Sequence, residues 1–175
     1  MSQDLDKARA LIAEAGYDGT PVVILQATDI PINNGAALVT AQILREIGMN
    51  VELQAMDWST LTSRRAISKP VDEGGWNIFI TWWIGADILN PVANIGVSGG
   101  CRNRAWFGWP CDEEIERLRD AYAREADPAE QKRLADAVQR RAFEIVTYAN
   151  FGEWFNPIAY SERLKGMIKS PVQFF

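Results

Sequence analysis

Apolar residues recur every three or four positions in four stretches of the chain, a spacing that predicts amphipathic helices with one buried face. The stretches cover residues 4–15, 35–47, 112–126 and 127–145. Asp4, Asp112 and Asp127 stand at the N-cap positions of three of them, where a carboxylate accepts from the free amides of the first turn. A shorter helix, capped by Ser59, is predicted for residues 59–67.

Short apolar runs of strand length lie between these helices. Val22–Leu25 is continuously apolar, which is typical of a parallel strand covered on both faces, and residues 50–56 and 76–84 are predicted as further strands. Residues 28–34 are polar and are predicted as a loop. The strand, helix and strand that follow residue 21 form a βαβ unit, so the pattern predicts an α/β fold.

Residues 85–112 follow no periodic pattern and are rich in glycine and tryptophan. Long irregular segments inside a compact domain usually carry function. This segment is therefore expected to carry function.

Composition excludes several kinds of function. The chain has 175 residues, with 18 Lys and Arg against 23 Asp and Glu, and it contains no His. Without His, the usual catalytic triads and zinc sites are excluded, and we expect no catalytic residue, no metal and no cofactor. A net charge of −5 with scattered basic residues argues against a nucleic-acid partner. The longest apolar run, residues 78–86, is too short to cross a bilayer.

The two cysteines, Cys101 and Cys111, flank a loop within the irregular segment. Three interpretations stay open: a structural disulfide, two buried thiols, or a reactive pair. A disulfide implies an oxidising compartment, yet the acidic start of the chain, residues 1–7, does not resemble an export signal. A disulfide would therefore imply that the sequence is part of a longer exported protein.

Motifs along nearly the whole chain resemble one family in their order. They are the helix and turn Asp4–Tyr17, the run Ala41–Leu53 followed by Met56-Asp57-Trp58, the segment Trp76–Ile80, the stretch Trp83-Ile84-Gly85-Ala86-Asp87 with Asn90-Pro91, the helix start Asp127–Gln131, and the closing Arg163-Leu164-Lys165-Gly166. Together they resemble family 5 of the extracellular solute-binding proteins of ABC importers, which includes oligopeptide-, dipeptide- and nickel-binding receptors.

The resemblance implies the type II periplasmic-binding-protein fold, in which two α/β lobes close on a ligand and each lobe has a mixed sheet flanked by helices. Residues 1–156 would form the second, C-terminal lobe, and residues 157–175 would be a tail that returns to a first lobe outside this sequence. A signal peptide would then belong to the missing part. Aromatic residues near the tail would lose partners: Trp154, Phe155, Tyr160, Phe174 and Phe175.

The resemblance also implies a location and partners. The receptor would be periplasmic, would capture a small ligand, most often a short peptide, and would deliver it to the transmembrane subunits of an ABC permease. It would be a transport protein and not an enzyme.

The implied ligand site centres on Asp87. In peptide-binding relatives an acid at this position pairs with the α-ammonium group of the ligand, and a carboxylate closed away from water would make a strong charge-assisted contact. The alternative is that Asp87 only caps the following turn.

The residues before Asp87 complete the implied site: Trp82, Trp83, Gly85 and Ala86. Backbone groups at Trp83 and Gly85 would pair with an extended peptide as an added strand, while one indole covers the ligand. In a strand, Trp82 and Trp83 would face opposite sides, and we favour Trp83 as the residue in the cleft.

Three aromatic residues in the loop between the cysteines, Trp106, Phe107 and Trp109, are interpreted as a plug that keeps the loop compact, with a cleft wall as the alternative. Arg102 and Arg104 would suit an anionic ligand, although exposed loop arginines are usually solvated. The polar residues Thr28, Asp29 and Asn33 are interpreted as ordinary loop residues, with the binding of an anion or a polar ligand group at the following helix start as the alternative.

Two other functions stay open. One is a ligand-sensing regulatory domain of the same fold, joined to a kinase or a transcription factor. The other is a hydrolase with paired carboxylates, such as Asp87 with Asp29 or Glu153. If the receptor interpretation is right, the chain alone should bind ligand weakly or not at all, because the other side of the cleft is absent.

Overall fold

The computed structural model describes residues 4–155, 157 and 159–168. The chain divides into two compact units, Met1–Trp82 and Trp83–Phe175. None of the helices in the described part of the chain has the length and apolar character needed to cross a membrane.

The first unit is built on a three-stranded sheet. β1 (Val22–Ala27) lies in the centre, β2 (Val51–Met56) pairs with it on one side, and β3 (Ile78–Phe79) pairs on the other. Ile24 lies opposite both Leu53 and Ile78. The α/β class is confirmed, and among the described strands the sheet is parallel where the prediction had a mixed one.

Successive residues of β1 supply two separate cores. Ile24 packs on one face with residues of α2 (Pro31–Glu46), whereas Val23 and Leu25 pack on the other face with Leu61 of α3 (Trp58–Arg64). Side chains alternate between the faces of a strand, so a strand with helices on both sides is apolar throughout. The continuous apolar run therefore predicted this arrangement correctly.

Two helix starts in the first unit differ from the prediction. α2 begins at Pro31, four residues before the predicted start, and α3 is capped by Asp57 and not by Ser59. Proline suits the first position of a helix because its missing N–H would have no partner there. The loop predicted for residues 28–34 therefore ends earlier. α1 (Leu5–Glu14) begins as predicted, with the Asp4 carboxylate accepting from the amide of Lys7.

β3 is also much shorter than the strand predicted for residues 76–84. The carbonyl of Ile80, just beyond β3, accepts from the buried side chain of Asn33 at 3.3 Å. Residues 81–84 then follow an irregular path. In the apolar run beyond β3, Ile80 is buried, Trp83 and Ile84 are half-buried and Trp82 is exposed, and the backbone is no longer in the sheet.

The second unit is dominated by two packed helices, α4 (Glu113–Arg124) and α5 (Pro128–Ile145), whose N-caps are Asp112 and Asp127 as predicted. Their apolar faces enclose one core together with Val97. The core residues are Val97, Ile115, Leu118, Leu134, Val138 and Ala142. The irregular segment before α4 contains three short 3-10 turns, at Gly85–Ile88, Ile95–Val97 and Arg102–Arg104.

Candidate functional site

Asp87 lies in the 3-10 turn Gly85–Ile88, and its backbone amide donates to the carbonyl of Ile84 at 2.9 Å. Its side chain is exposed and has no hydrogen-bond or ion-pair partner within the described residues. The turn that follows is capped by Asn90, whose Oδ1 accepts from the amides of Val92 and Ala93. Among the described residues, the turn-capping role considered for Asp87 is therefore filled by Asn90.

The other four residues of the implied site occupy different surroundings. Trp82 ends the first unit and is 38% exposed. Trp83, Gly85 and Ala86 begin the second unit, where Gly85 is exposed while Trp83 and Ala86 are half-buried. Since β3 ends at Phe79, strand alternation does not apply to the two tryptophans.

Trp83 belongs to an aromatic cluster in the second unit. Its ring centroid lies 4.8 Å from that of Trp106 and 6.1 Å from that of Tyr148, and Trp106 also contacts Phe107. Gly96 lies beneath this cluster, and a methyl group there would lie 3.2 Å from Cη2 of Trp83. Trp83 therefore packs against two other aromatic rings.

A disulfide closes the loop that carries Trp106. Cys101 and Cys111 are joined, with their Cα atoms 4.2 Å apart, and the amide of Cys101 donates to the carbonyl of Pro110. Gly100 and Cys111 form an antiparallel bridge at the base of the loop. The packing of Trp106 agrees with the interpretation of the loop aromatics as a plug.

Two side chains of α4 hold the irregular segment to the helix. Arg119 donates to the carbonyls of Pro91 and Val92, at 2.9 and 3.2 Å, and it is also paired with Glu116. Glu116 in turn accepts from the amide of Gly99 at 2.8 Å. Sequence reasoning missed this network, because its members lie 17 to 28 residues from their backbone partners.

An ion pair joins α5 to the N-cap residue of α4. Arg141 of α5 donates to both carboxylate oxygens of Asp112, at 3.1 and 2.5 Å, and the Asp112 side chain is 12% exposed. These hydrogen bonds, helped by one from the amide of Ile115, hold the pKa of the Asp112 carboxyl below its usual range despite its partial burial. The same pair raises the pKa of Arg141.

A pocket of about 260 Å³ opens in the second unit, between residues 88–97 and α5. Val97, Val138 and Ala142 form its floor and belong to the buried core. The full lining is Ile88, Leu89, Asn90, Pro91, Asn94, Val97, Ala135, Val138, Gln139, Ala142, Phe143, Tyr148 and Asn150. Sequence reasoning placed Val138 and Ala142 in the core but did not identify this pocket.

The pocket adjoins two of the implied ligand residues. Ile88 lies in the same 3-10 turn as Asp87, and Tyr148 contacts the ring of Trp83. The structure thus places Trp83, Asp87 and the pocket around one part of the second unit, although residue 148 is 60 positions from residue 88 in the sequence.

The other polar residues considered as candidates either stabilise the fold locally or are exposed to solvent. The Asp29 carboxylate accepts from the amide of Trp58 and so fixes the start of α3, and Asn33 is buried within α2. Arg102 and Arg104 are exposed, as is Glu153. Within the described part of the chain, no three His, Cys, Asp or Glu side chains are grouped closely enough to bind a metal ion.

Comparison with known proteins identifies the family. The chain is 41% identical over 169 residues to a protein of Sinorhizobium fredii (strain NBRC 101917 / NGR234) named "Probable peptide ABC transporter periplasmic-binding protein y4tO". The match covers 97% of this chain and 32% of that protein. This chain therefore spans about a third of the length of that relative.

Solved structures show the same fold. The ABC transporter substrate-binding protein CtaP of Listeria monocytogenes superposes with a TM-score of 0.68 at 19% identity, over 83% of this chain and 29% of that one. The periplasmic binding protein DppA of Helicobacter pylori, solved with the peptide STSA, gives 0.65 at 21% identity, over 83% and 28%. Both likenesses support the type II fold that the sequence predicted.

The family model for the middle part of the bacterial extracellular solute-binding proteins, family 5, matches residues 2–106, which include β1 to β3 and the segment that carries Trp83 and Asp87. The chain therefore belongs to family 5 of the bacterial extracellular solute-binding proteins.

Proposed function

We propose that this chain is a lobe of the extracytoplasmic receptor of an ABC importer, and that the receptor binds a short peptide through the α-ammonium group. The observation that carries the proposal is the exposed Asp87 carboxylate, which has no partner within the described residues. The name of the 41% identical relative supports a peptide as the ligand.

The physical argument for a cationic ligand group is that no positively charged side chain within the described residues pairs with the Asp87 carboxylate. A carboxylate that is to be covered by a ligand needs a positive partner, because covering it without one costs free energy. An ammonium group with three N–H donors supplies both the charge and the hydrogen bonds. Trp83, half-buried in its aromatic cluster, would then cover the same end of the ligand.

The backbone from Trp83 to Ala86 is the second proposed contact. Residues 81–84 lie outside the sheet and Gly85 is exposed, so the main chain is accessible for hydrogen bonds to a peptide. Main-chain pairing of this kind contributes affinity without selecting a sequence. Trp82, in the first unit, is the remaining proposed contact.

The organisation of the receptor is part of the proposal. Residues 1–156 serve as the C-terminal lobe, and residues 157–175 return towards another lobe. Several apolar side chains near the tail are well exposed, including Phe155 at 95%, Leu164 at 55% and Ile168 at 73%, which is consistent with partners elsewhere in a longer protein. Phe174 and Phe175 lie outside the described residues. The receptor would act in the periplasm and deliver ligand to the permease subunits.

The test uses the longer receptor that contains this segment. Native mass spectrometry identifies the ligand that co-purifies, and calorimetry then compares a tripeptide with its N-acetylated form. We expect acetylation to weaken binding to the wild type by about 10- to 100-fold, the effect of losing a hydrogen bond to a charged group. Asp87→Asn should weaken binding of the free peptide and remove its advantage over the acetylated one.

Asp120→Asn is the matched control, because Asp120 is an exposed acid on α4 in the same unit. It removes the same charge and should leave peptide affinity unchanged. Equal binding of free and acetylated peptides by the wild type would contradict the role of Asp87, and co-purification of a non-peptide ligand would contradict the ligand class.

A further inference from the structure

Residues 84–93, the Asp87 segment, are held only weakly by burial. None of these residues is fully buried, and Leu89 and Val92 are 81% and 46% exposed. The hydrogen bonds within the segment close short turns at Asp87 and at Asn90. Segments with few buried apolar contacts open easily unless other groups hold them. The path of the Asp87 segment therefore depends on contacts from outside it.

Arg119 of α4 supplies such a contact. Its Nε donates to the carbonyl of Pro91 at 2.9 Å, and its Nη2 donates to the carbonyl of Val92 at 3.2 Å. Among the described residues, no other side chain from outside the Asp87 segment hydrogen-bonds to it. The two carbonyls lie four and five positions beyond Asp87. Arg119 thus ties the segment to a helix that is packed in the core of the second unit.

The guanidinium of Arg119 is occupied by contacts within the chain. It also pairs with Glu116 at 2.5 Å, and its side chain is 14% exposed. Glu116 in turn accepts from the amide of Gly99, further along the irregular segment. Because its charge is balanced by Glu116 and its side chain is largely covered, Arg119 is placed to support the Asp87 segment and not to contact a ligand.

Arginine suits this role because of its shape. The planar guanidinium presents N–H donors in fixed directions, so one side chain can bind two consecutive carbonyls and a carboxylate at once. Lysine has a single donor nitrogen on a flexible chain and would hold the same carbonyls less rigidly. The contact therefore fixes the direction of the backbone at Pro91 and Val92 as well as its distance from α4.

We propose that Arg119 is a positioning residue for ligand binding. By holding Pro91 and Val92 to α4, it fixes the 3-10 turn Gly85–Ile88 and presents the Asp87 carboxylate to the ammonium group of the ligand. The inference rests on the function proposed above. It goes beyond that function by making peptide affinity depend on a residue that does not touch the peptide, since a contact group left loose by its supports binds poorly.

The experiment compares wild type and Arg119→Ala in the longer receptor, freed of bound ligand. Calorimetry measures the affinity for a free tripeptide and for its N-acetylated form. We expect the ratio of the two affinities to fall by about 3- to 30-fold in Arg119→Ala, the usual range for supporting residues remote from a ligand. The acetylated peptide should be affected less, because it makes no ammonium contact with Asp87. Amide hydrogen exchange within the Asp87 segment should become faster.

Two variants serve as controls. Arg117→Ala removes an exposed guanidinium from the same helix, where it pairs with Glu114, and should change neither the affinity ratio nor the exchange. Leu134→Ala removes a buried side chain from the core of the second unit and leaves Arg119 in place. It should lower the unfolding midpoint and retain the wild-type affinity ratio, which separates positioning from general destabilisation.

Arg119→Lys is the conservative variant, and it carries the test if Arg119→Ala does not fold. Lysine keeps the positive charge beside Glu116 without the planar fork, so the affinity ratio should lie between those of wild type and Arg119→Ala. A ratio in Arg119→Lys equal to that of the wild type would contradict the need for the fork and, where Arg119→Ala does not fold, the inference itself.

The outcomes separate the two proposals. If the wild type prefers the free peptide and Arg119→Ala keeps the same ratio, the inference is wrong while the peptide function stands. An equal fall of the ratio in Leu134→Ala, or exchange in Arg119→Ala no faster than in Arg117→Ala, would also overturn the inference. If the wild type binds free and acetylated peptides equally, the proposed role of Asp87 fails and the inference fails with it.

Discussion

The indole of Trp83 packs against that of Trp106 with their ring centroids 4.8 Å apart, which places an implied ligand residue in contact with a loop closed by a disulfide. Trp106 contacts Phe107 in turn, and Trp83 also contacts Tyr148 at the pocket. The position of Trp83 therefore depends on how well the loop between Cys101 and Cys111 is held.

Reduction of the disulfide should destabilise the second unit. The bond spans ten residues, and the loop-closure model gives a stabilisation of about 2 to 3 kcal/mol for a loop of this length. Urea unfolding followed by circular dichroism, with and without a reductant, measures this difference. The sequence has only two cysteines, so the reductant acts on this bond alone.

The control for that measurement is the double variant Cys101→Ser with Cys111→Ser, which should resemble the reduced protein and not respond to reductant. In the longer receptor the double variant should also bind peptide more weakly, because the loop that carries Trp106 would hold Trp83 less firmly. An unchanged unfolding midpoint on reduction would show that the surrounding hydrogen bonds suffice to hold the loop.

Gly96→Ala should destabilise the protein. The added methyl group would lie 3.2 Å from Trp83 and 3.3 Å from Tyr148, closer than most contacts of a Cβ atom, so the two rings would have to move by a few tenths of an ångström. Overpacking of this kind costs about 1 to 3 kcal/mol. The midpoint of urea unfolding should fall accordingly.

Gly35→Ala is the matched substitution with the opposite expected result. Gly35 is exposed within α2, and a methyl group there would have no atom within 4 Å. Alanine in a helix interior is more stable than glycine by about 0.5 to 1 kcal/mol, so the midpoint should rise. A fall at both sites, or at neither, would contradict the packing described around Trp83.

Asp112→Asn should lower stability at neutral pH, and the loss should disappear in acid. The folded-state pKa of Asp112 is depressed by Arg141. Its contribution is therefore complete above the unfolded-state pKa of about 3.9 and is lost as pH falls through the lower folded-state value. Asparagine retains the N-cap hydrogen bond to Ile115, so the variant removes the charge and leaves the cap.

The measurement is the difference in unfolding midpoint between wild type and Asp112→Asn at about pH 7 and again in strong acid, well below the unfolded-state pKa of about 3.9. Asp120→Asn, on the exposed side of α4, should show no comparable pH-dependent difference. A destabilisation of Asp112→Asn that is the same at both pH values would mean that packing, and not charge, explains the effect.

The chain alone should bind short peptides weakly or not at all. Ligand sites normally enclose most of the ligand surface, and a single lobe would contact it from one side only. Calorimetric titration of the isolated chain with the peptide that binds the longer receptor checks this. Micromolar affinity would indicate that these 175 residues contain a complete site.

Local sequence signals predicted much of the framework. Asp4, Asp112 and Asp127 were identified as N-caps, and each accepts from an amide three residues ahead. A cap needs only its own first turn, so it can be read without knowledge of the fold. The apolar run at Val22–Leu25 likewise specified a strand buried on both faces, because such burial requires apolar residues at every position.

Predictions failed where distant residues intervene. β3 ends at Phe79, well short of the predicted residue 84, and the carbonyl of Ile80 accepts from Asn33, 47 residues away in the sequence. The polar residues around Asn33 also led to the prediction of a loop at the start of α2, since nothing in the local sequence shows that Asn33 has a buried partner. Polar side chains inside a helix become intelligible only when their acceptors are known.

The sequence by itself determined the fold class, most helix starts and the family resemblance that points to Trp83 and Asp87, because these depend on short-range pattern. Only the tertiary structure decided that Asp87 has no internal partner within the described residues, that Trp83 rests on the disulfide loop, and that Ile88 and Tyr148 line one pocket. These relationships depend on how segments tens of residues apart pack together, and packing is set by the whole core and not by neighbours in the chain.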